Sequence, residues 1–500
     1  MIETLLLTPV IGGPTRVLAA RAVGYDGEVT RSLSPAVVAL VAFVGIGPAV
    51  ASVACGSGGD DASASADGGA TPTPTASSGD GASSDAIGPG ASDADGAATA
   101  DAAHAPHVVS TVITTAHRFI DGQMFGGWGP HLGHLLRRAT PDELWFADDA
   151  CSQAGGTDGC DVLVDRRIDY FRMASDGSTA SKIAELALPA GIQQNTASLL
   201  AGNTIFTYGV DVNQSKLVEC TLDLSTTAKA CTTLPFALGA NANYIGAALS
   251  PDGAKVVWLT NVKDGGGGQF QYFVDYGAGW NGPRLGDAAG YNDASYINVA
   301  FGGGAHKSEM LMHVQLVSGL APAWTFLGAV GVADLATTNA ATWSNALAAP
   351  AANDPIISTN DVAIDPLTND AHLVARTYKG NAVYYHRPLG GSWSAPLATF
   401  PSSYRARLVL TDDGTLHLLH GPSGKGLAYR SSPRASRVAG QPVAWASIAD
   451  TFVPLPAGYE SLYAIYPEAS VYETSPVRAL RAALVGSVRQ NEALLVSIDP

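Results

Sequence analysis

Positive charge is scarce in this chain: Lys and Arg number 28 against 44 Asp and Glu, for a formal net charge of −16. An acidic surface repels polyanions, which excludes nucleic acid and anionic lipid as partners held by overall charge. Charge of either sign is thin, at 14% of residues, while 56 Gly and 29 Pro mark many turns and few long helices. With 46% hydrophobic residues there is still ample material for a core, so the composition points to a β-rich fold. Three catalytic signatures are also missing: no Walker loop, no Rossmann fingerprint and no Gly-x-Ser-x-Gly elbow stands in a strand–helix context. Gly265 to Gly268 reads as a hairpin loop.

A hydrophobic run long enough to span a bilayer is lacking too. After Arg31 the stretch AVVALVAFVGI ends at Gly47-Pro48, roughly a dozen residues where a spanning helix needs about 20. Small residues then lead to Cys55 through Ala51-Ser52-Val53-Ala54. A positive start, a short apolar core, a helix-breaking pair and small residues at a cleavage point make a secretory signal over residues 1–54. A start at Val29 gives that signal conventional length.

Cysteine is sparse and odd in number, with five in the chain. Cys151 and Cys160 form one close pair and Cys220 and Cys231 another, which suits two disulfides in an oxidising compartment. Cys55 is left over. The junction Val53-Ala54-Cys55, followed by Gly56-Ser57-Gly58-Gly59, resembles a bacterial lipobox. That resemblance implies acylation of Cys55 and anchoring of an exported protein in the cell envelope. Ser52 stands where the family has an aliphatic residue, and Ser52-Val53-Ala54 also fits ordinary signal peptidase, so soluble secretion is the alternative.

Residues 55–106 read as a disordered tether. From Gly56 to Pro106 Ile87 is the only large apolar residue, Lys and Arg are absent, and eight aspartates repel one another. Such a segment cannot bury enough surface to offset its ordering entropy. As a flexible coil it holds the next domain on the order of 40 Å from its anchor.

Past residue 107 one pattern recurs: a short apolar strand, a polar turn, a second apolar strand, a loop, and a Tyr-rich strand. Leu249-Ser250-Pro251-Asp252-Gly253 leads to Val256-Val257-Trp258, and Thr411-Asp412-Asp413-Gly414 to Leu416-His417-Leu418. Asp365-Pro366 runs through Asn369-Asp370 to Leu373-Val374. Asp-Gly and Asn-Asp supply the positive φ a tight hairpin needs. Weaker copies begin near Leu135, Ser198, Ile297 and Leu462, spaced by roughly 45 to 65 residues, the period of a four-stranded blade.

Residues 107–500 therefore resemble the β-propeller superfamily. Leu249 to Trp258 is similar to the blade signature of TolB-like propellers. Asp413-Gly414-Thr415-Leu416-His417, with Tyr429 and Gly391-Ser392-Trp393-Ser394 read as outer strand, is similar to sialidase-like repeats. The resemblance implies an all-β propeller of seven blades, with six as the alternative, closed by an N-terminal strand over Val108 to Thr114. Two stacked β-sandwiches are the other all-β solution.

No catalytic residue and no cofactor follows from the sequence. Ser250-Pro251-Asp252-Gly253 misses the sialidase Asp-box by one position, and Arg137, Arg138, Arg405 and Arg407 form no recognisable cluster. His131 and His134 lie beside Gly-rich loop sequence with no Glu to complete a zinc site, so no metal is assigned. Asp148, Asp149, Asp158 and Asp161 lack EF-hand spacing, leaving weak calcium binding as an open alternative. His372 and His417 occupy matching repeat positions, which implies a shared packing role. The candidate binding face carries Trp128, Tyr291, Tyr404 and Arg405 on blade-connecting loops, with aromatic and guanidinium groups suited to a sugar or peptide. The expected function is a non-catalytic surface module for a protein or glycan partner in the envelope; the alternative is an extracellular glycosidase-like hydrolase.

Overall fold

A computed structural model describes residues 107–114, 134–138, 140–151, 166–174, 178–192, 196–211, 213, 215–238, 242–261, 269–287, 294–316, 324–331, 343–345, 347–403, 405–468, 480–486 and 489–499. The signal segment, Cys55 and the tether lie outside them, as do Trp128, His131, Asp158, Cys160, Asp161, Tyr291 and Tyr404.

Among the described residues twenty-eight strands form seven antiparallel sheets of four, the blades of a seven-bladed β-propeller. Blade 1 is β2 (Leu135–Arg138), β3 (Glu143–Cys151), β4 (Arg166–Met173) and β5 (Ala180–Ala187). Blade 2 is β6 (Ala197–Ala201), β7 (Thr204–Asp211), β8 (Lys216–Asp223) and β9 (Lys229–Ala237). Blade 3 is β10 (Ala242–Leu249), β11 (Lys255–Asn261), β12 (Gln269–Asp275) and β13 (Trp280–Asp287). Blade 4 is β14 (Ala294–Phe301), β15 (Glu309–Leu316), β16 (Trp324–Ala329) and β17 (Trp343–Asn345). Blade 5 is β18 (Ile356–Ile364), β19 (Ala371–Thr377), β20 (Ala382–Arg387) and β21 (Ala398–Phe400). Blade 6 is β22 (Arg407–Leu410), β23 (Leu416–His420), β24 (Leu427–Ser432) and β25 (Thr451–Val453). Blade 7 is β26 (Leu462–Pro467), β27 (Leu480–Gly486) and β28 (Arg489–Asp499), completed by β1 (His107–Thr114) at its outer edge.

Closure by β1 is the feature expected of Val108 to Thr114. Its register runs from His107 opposite Asp499 to Thr114 opposite Ala493. A bridge between Leu135 and Glu468 joins the innermost strands of blades 1 and 7 across the same seam.

Each blade packs both faces against neighbours, and burial falls from hub to rim. All residues of β19, β23 and β27 are buried, so these second strands read as nearly continuous apolar runs. In the outermost strands β5 and β9 one residue each is buried. The core therefore lies between blades. Trp145 and Tyr170 of blade 1 pack with Ile205 and Val218 of blade 2, and Val256 and Trp258 of blade 3 with Val299 and Met310 of blade 4. Gly246 leaves room for the Trp258 indole, which a Cβ there would strike.

Polar bonds lace the blades. Tyr170 and Thr207 hydroxyls meet at 3.1 Å between blades 1 and 2, and Trp280 Nε1 donates to Glu219 at 3.2 Å between blades 3 and 2. Trp258 Nε1 donates to the Ile297 carbonyl at 3.2 Å, and Gly303 N to Asn369 Oδ1 at 2.8 Å. The hairpin turns take the expected backbone, with positive φ at Gly253, Asn369 and Gly414.

His372 and His417 share the packing role implied by their repeat positions. Both are buried on second strands, with Nδ1 meeting the Tyr384 hydroxyl at 2.7 Å and the Ser431 hydroxyl at 2.8 Å. Burial pushes them down to about 3 and about 4, so both are neutral at physiological pH. Gly391 to Ser394 corrects one reading: it lies in the connection before β21, not on an outer strand. The Ser394 hydroxyl there accepts from His386 N at 3.1 Å, tying the connection back to the blade.

Cys220 and Cys231 are disulfide-bonded as expected, directly opposite one another on β8 and β9. Cys151 ends β3, and its partner Cys160 lies outside the described residues.

Candidate ligand-binding face

Strand direction sorts the loops. Innermost strands all start on one face, and each outermost strand ends there, so connections from blade to blade and turns between second and third strands share that face. The ends of β1, β13 and β21, and the starts of β2, β14 and β22, are therefore together on it. Those are the connections whose sequence holds Trp128, Tyr291, Tyr404 and Arg405.

The described part of this face centres on blades 5 to 7, where hydrogen bonds stitch four loops into a continuous rim. Ser402 N donates to Asn381 Oδ1 at 3.2 Å, Ser423 N to the Ser402 carbonyl at 3.0 Å, and Gly426 N to the Glu460 carbonyl at 2.7 Å. Asp354 holds the first loop by accepting from Lys379 N at 2.8 Å and Asn381 Nδ2 at 3.0 Å. Burial would raise Asp354, and these bonds instead hold it below its ordinary range. Ser402 takes φ of +51°, a left-handed conformation that costs a non-glycine residue energy and that the flanking bonds maintain.

On this rim sit Tyr378, 72% exposed, and Phe452, 46% exposed. Lys425 lies 5.6 Å from the centre of the Phe452 ring, and Arg405 lies 5.1 Å from that of Tyr463. The four loops carry three cations, Lys379, Arg405 and Lys425, and one acid, Glu460. Both Glu460 oxygens accept from Gly458 N, at 3.1 and 2.9 Å.

Beneath the rim a chain of polar side chains fixes the 401–405 connection. The Ser403 hydroxyl stands 3.0 Å from His420 Nδ1, and His420 Nε2 donates to Asp450 at 2.9 Å. Arg430 Nε donates to the same Asp450 oxygen at 2.6 Å. Burial pushes His420 down, opposed by Asp450, so its ring is neutral. Ser403 is 1% exposed and also faces the Pro401 carbonyl at 3.2 Å. The network thus positions the loop that presents Arg405.

Deeper along the innermost strands, Asp361 of blade 5 accepts from Leu408 N of blade 6 at 3.0 Å, and Arg407 Nε of blade 6 donates to the Ile465 carbonyl of blade 7 at 3.2 Å. Burial pushes Asp361 up to about 6, against the pull of Arg407. Between about pH 4 and 6 the folded chain keeps a proton there that the unfolded chain has lost, so rising pH favours unfolding until the carboxyl ionises. Asp361→Asn removes that titration. From pH 4.5 to 7.5 the wild type should lose about 2 kcal/mol of urea-unfolding stability relative to the variant; parallel pH profiles would contradict the assignment.

No family model and no curated protein matches this chain. Solved structures do. Virginiamycin B lyase from Staphylococcus aureus is similar over 78% of this chain and 99% of its own, at 8% identity and a TM-score of 0.41. Polysaccharide lyase Uly1 is similar over 79% and 99%, at 10% identity and 0.48, and the Aleuria aurantia lectin over 65% and 96%, at 12% and 0.35. The propeller assignment rests on the strand pairing itself.

Of the residues singled out in sequence, Arg405 is seen on the rim. Tyr378, Lys379, Lys425, Phe452 and Tyr463 were not singled out. Their signal is positional: Tyr378-Lys379-Gly380 becomes conspicuous once blade phase marks it as a turn on the loop face. Asp148 and Asp149 are buried in β3, with Asp149 ion-paired to Arg166 and accepting from Thr196 N at 3.3 Å. Among the described residues no group of three or more His, Cys, Asp and Glu is arranged to hold a metal ion.

Proposed function

We propose that the chain is an exported envelope protein, acylated at Cys55, whose tether over 56–106 presents the propeller as a binding module for a glycan or protein partner. The observation that carries this reading is the laced rim of blades 5 to 7, where exposed aromatics alternate with cations. The chain enters the propeller at His107, the start of β1, on the face opposite the rim. In a retention assay on envelope fractions, the wild type should be held, and Tyr378→Ala/Arg405→Ala should lose roughly tenfold or more in affinity while its circular dichroism is unchanged. Equal retention of the folded variant would sink the assignment of this face.

A second reading, an extracellular hydrolase, has one observation in its favour: Ser403, His420 and Asp450 are linked in the order of a nucleophile, base and orienting acid. The low exposure of Ser403 weighs for a positioning role. On the binding reading, a fluorophosphonate probe leaves Ser403 unmodified in intact-mass and peptide analysis. A stoichiometric adduct at Ser403 would favour the hydrolase.

A further inference from the structure

We infer that the ligand of the rim is an acidic glycan, a chain of sugar rings bearing carboxylate or phosphate groups; this rests on the reading of the rim as a binding face. The first ground is charge. Lys182, Lys255, Arg430 and Arg437 are all ion-paired with carboxylates. Lys379 and Lys425 are exposed and form no ion pair among the described residues. Asp354 attracts Lys379 through space without forming an ion pair with it, its oxygens accepting from Lys379 N and Asn381 Nδ2.

The net charge of −16 does not oppose this. Half of it belongs to the eight aspartates of residues 56–106, a segment with no cation. At physiological ionic strength charges more than about 8 Å apart are largely screened, so the local field is set by the three rim cations against the one acid, Glu460. A ligand with spaced anionic groups gains at Lys379 and Lys425 through charge-assisted hydrogen bonds.

The second ground is shape. Tyr378 and Phe452 offer flat, exposed ring surface, and Tyr463 lies partly exposed under Arg405. Aromatic faces beside polar groups suit the apolar faces of pyranose rings, whose hydroxyls stay hydrated at the edge. An acidic peptide would use the same cations but has no repeating flat surface for these rings. Asp354 holds the first of the four loops, and Ser403, His420 and Asp450 hold the 401–405 connection, so this part of the platform is preorganised and little ordering cost falls on binding.

Native affinity electrophoresis of the full chain at physiological salt tests this with four embedded polymers: polygalacturonate, a phosphomannan, neutral dextran and poly-glutamate. Retardation by polygalacturonate or phosphomannan is expected, and which of the two acts tells carboxylate from phosphate. Lys379→Ala/Lys425→Ala and Tyr378→Ala/Phe452→Ala should each weaken it roughly tenfold, with unchanged circular dichroism. Equal retardation by dextran removes the charge requirement and overturns the inference, as does equal retardation by poly-glutamate. If no glycan retards the chain while envelope fractions still retain it through the rim, the binding reading stands and the acidic-glycan inference fails. If the rim variants change neither assay, both fail.

Discussion

Arg137→Ala should destabilise the propeller by about 3–5 kcal/mol, the cost of stripping one partner from a buried charge network. Arg137 lies on β2 in blade 1 and is 2% exposed. Its guanidinium donates to Asp142 of its own blade and to Asp412 of blade 6, each at 3.0 Å, and lies 3.7 Å from Glu468 of blade 7. One side chain thus clamps three blades at the junction of the first and last blades. Burial pushes Glu468 up to about 7, opposed by Arg481 and Arg137. Without Arg137 the ionised form of Glu468 loses one of its two cations. The deficit of the variant should therefore grow from pH 5.5 to pH 8, as the wild-type carboxylate ionises. Urea unfolding at both pH values reads it, and a loss below about 1 kcal/mol at pH 8 would mean that the cluster contributes no net stability.

Deleting residues 107–114 should cost more, because it opens the ring. Blade 7 then keeps three strands, and β28, buried from Ala493 to Ile498, becomes a bare edge. Ile113 also leaves the core it shares with Leu135, Phe146 and Leu495. An unpaired apolar edge templates association, so the truncated chain should appear in oligomers or inclusion bodies. Thr111→Pro tests the same pairing more gently, placing a residue without N–H opposite Leu495. It should lower stability by about 1 kcal/mol or more, the scale of one backbone hydrogen bond lost from a ladder. A monomeric deletion chain with the wild-type melting temperature would show that β1 does not close the ring.

Legibility followed burial. The second strands of blades 3, 5 and 6 stood out because both of their faces are covered, and because Gly253, Asn369 and Gly414 mark the preceding turns with residues that tolerate positive φ. Outer strands were obscure because they face solvent and can be three residues long, as β17, β21 and β25 are. With little burial to impose alternation, Gly391 to Ser394 passed for a strand. The site was legible in part. Arg405 could be assigned to a blade-connecting loop, but Tyr378 differs in sequence terms from the buried Tyr384 and Tyr385 only by preceding Lys379-Gly380. His420 and Asp450 are 30 positions apart, and only blade closure brings them to Ser403.

The central claim is that partners meet the rim of blades 5 to 7. Hydrogen-exchange mass spectrometry of the full chain, with and without a saturating envelope glycan fraction, tests it most directly. The account predicts new protection in residues 378–381, 401–406, 421–426 and 452–461, with little change in the turns of the opposite face at 365–370 and 411–415. Protection confined to those opposite turns, or unchanged exchange at the rim under saturating ligand, would contradict it.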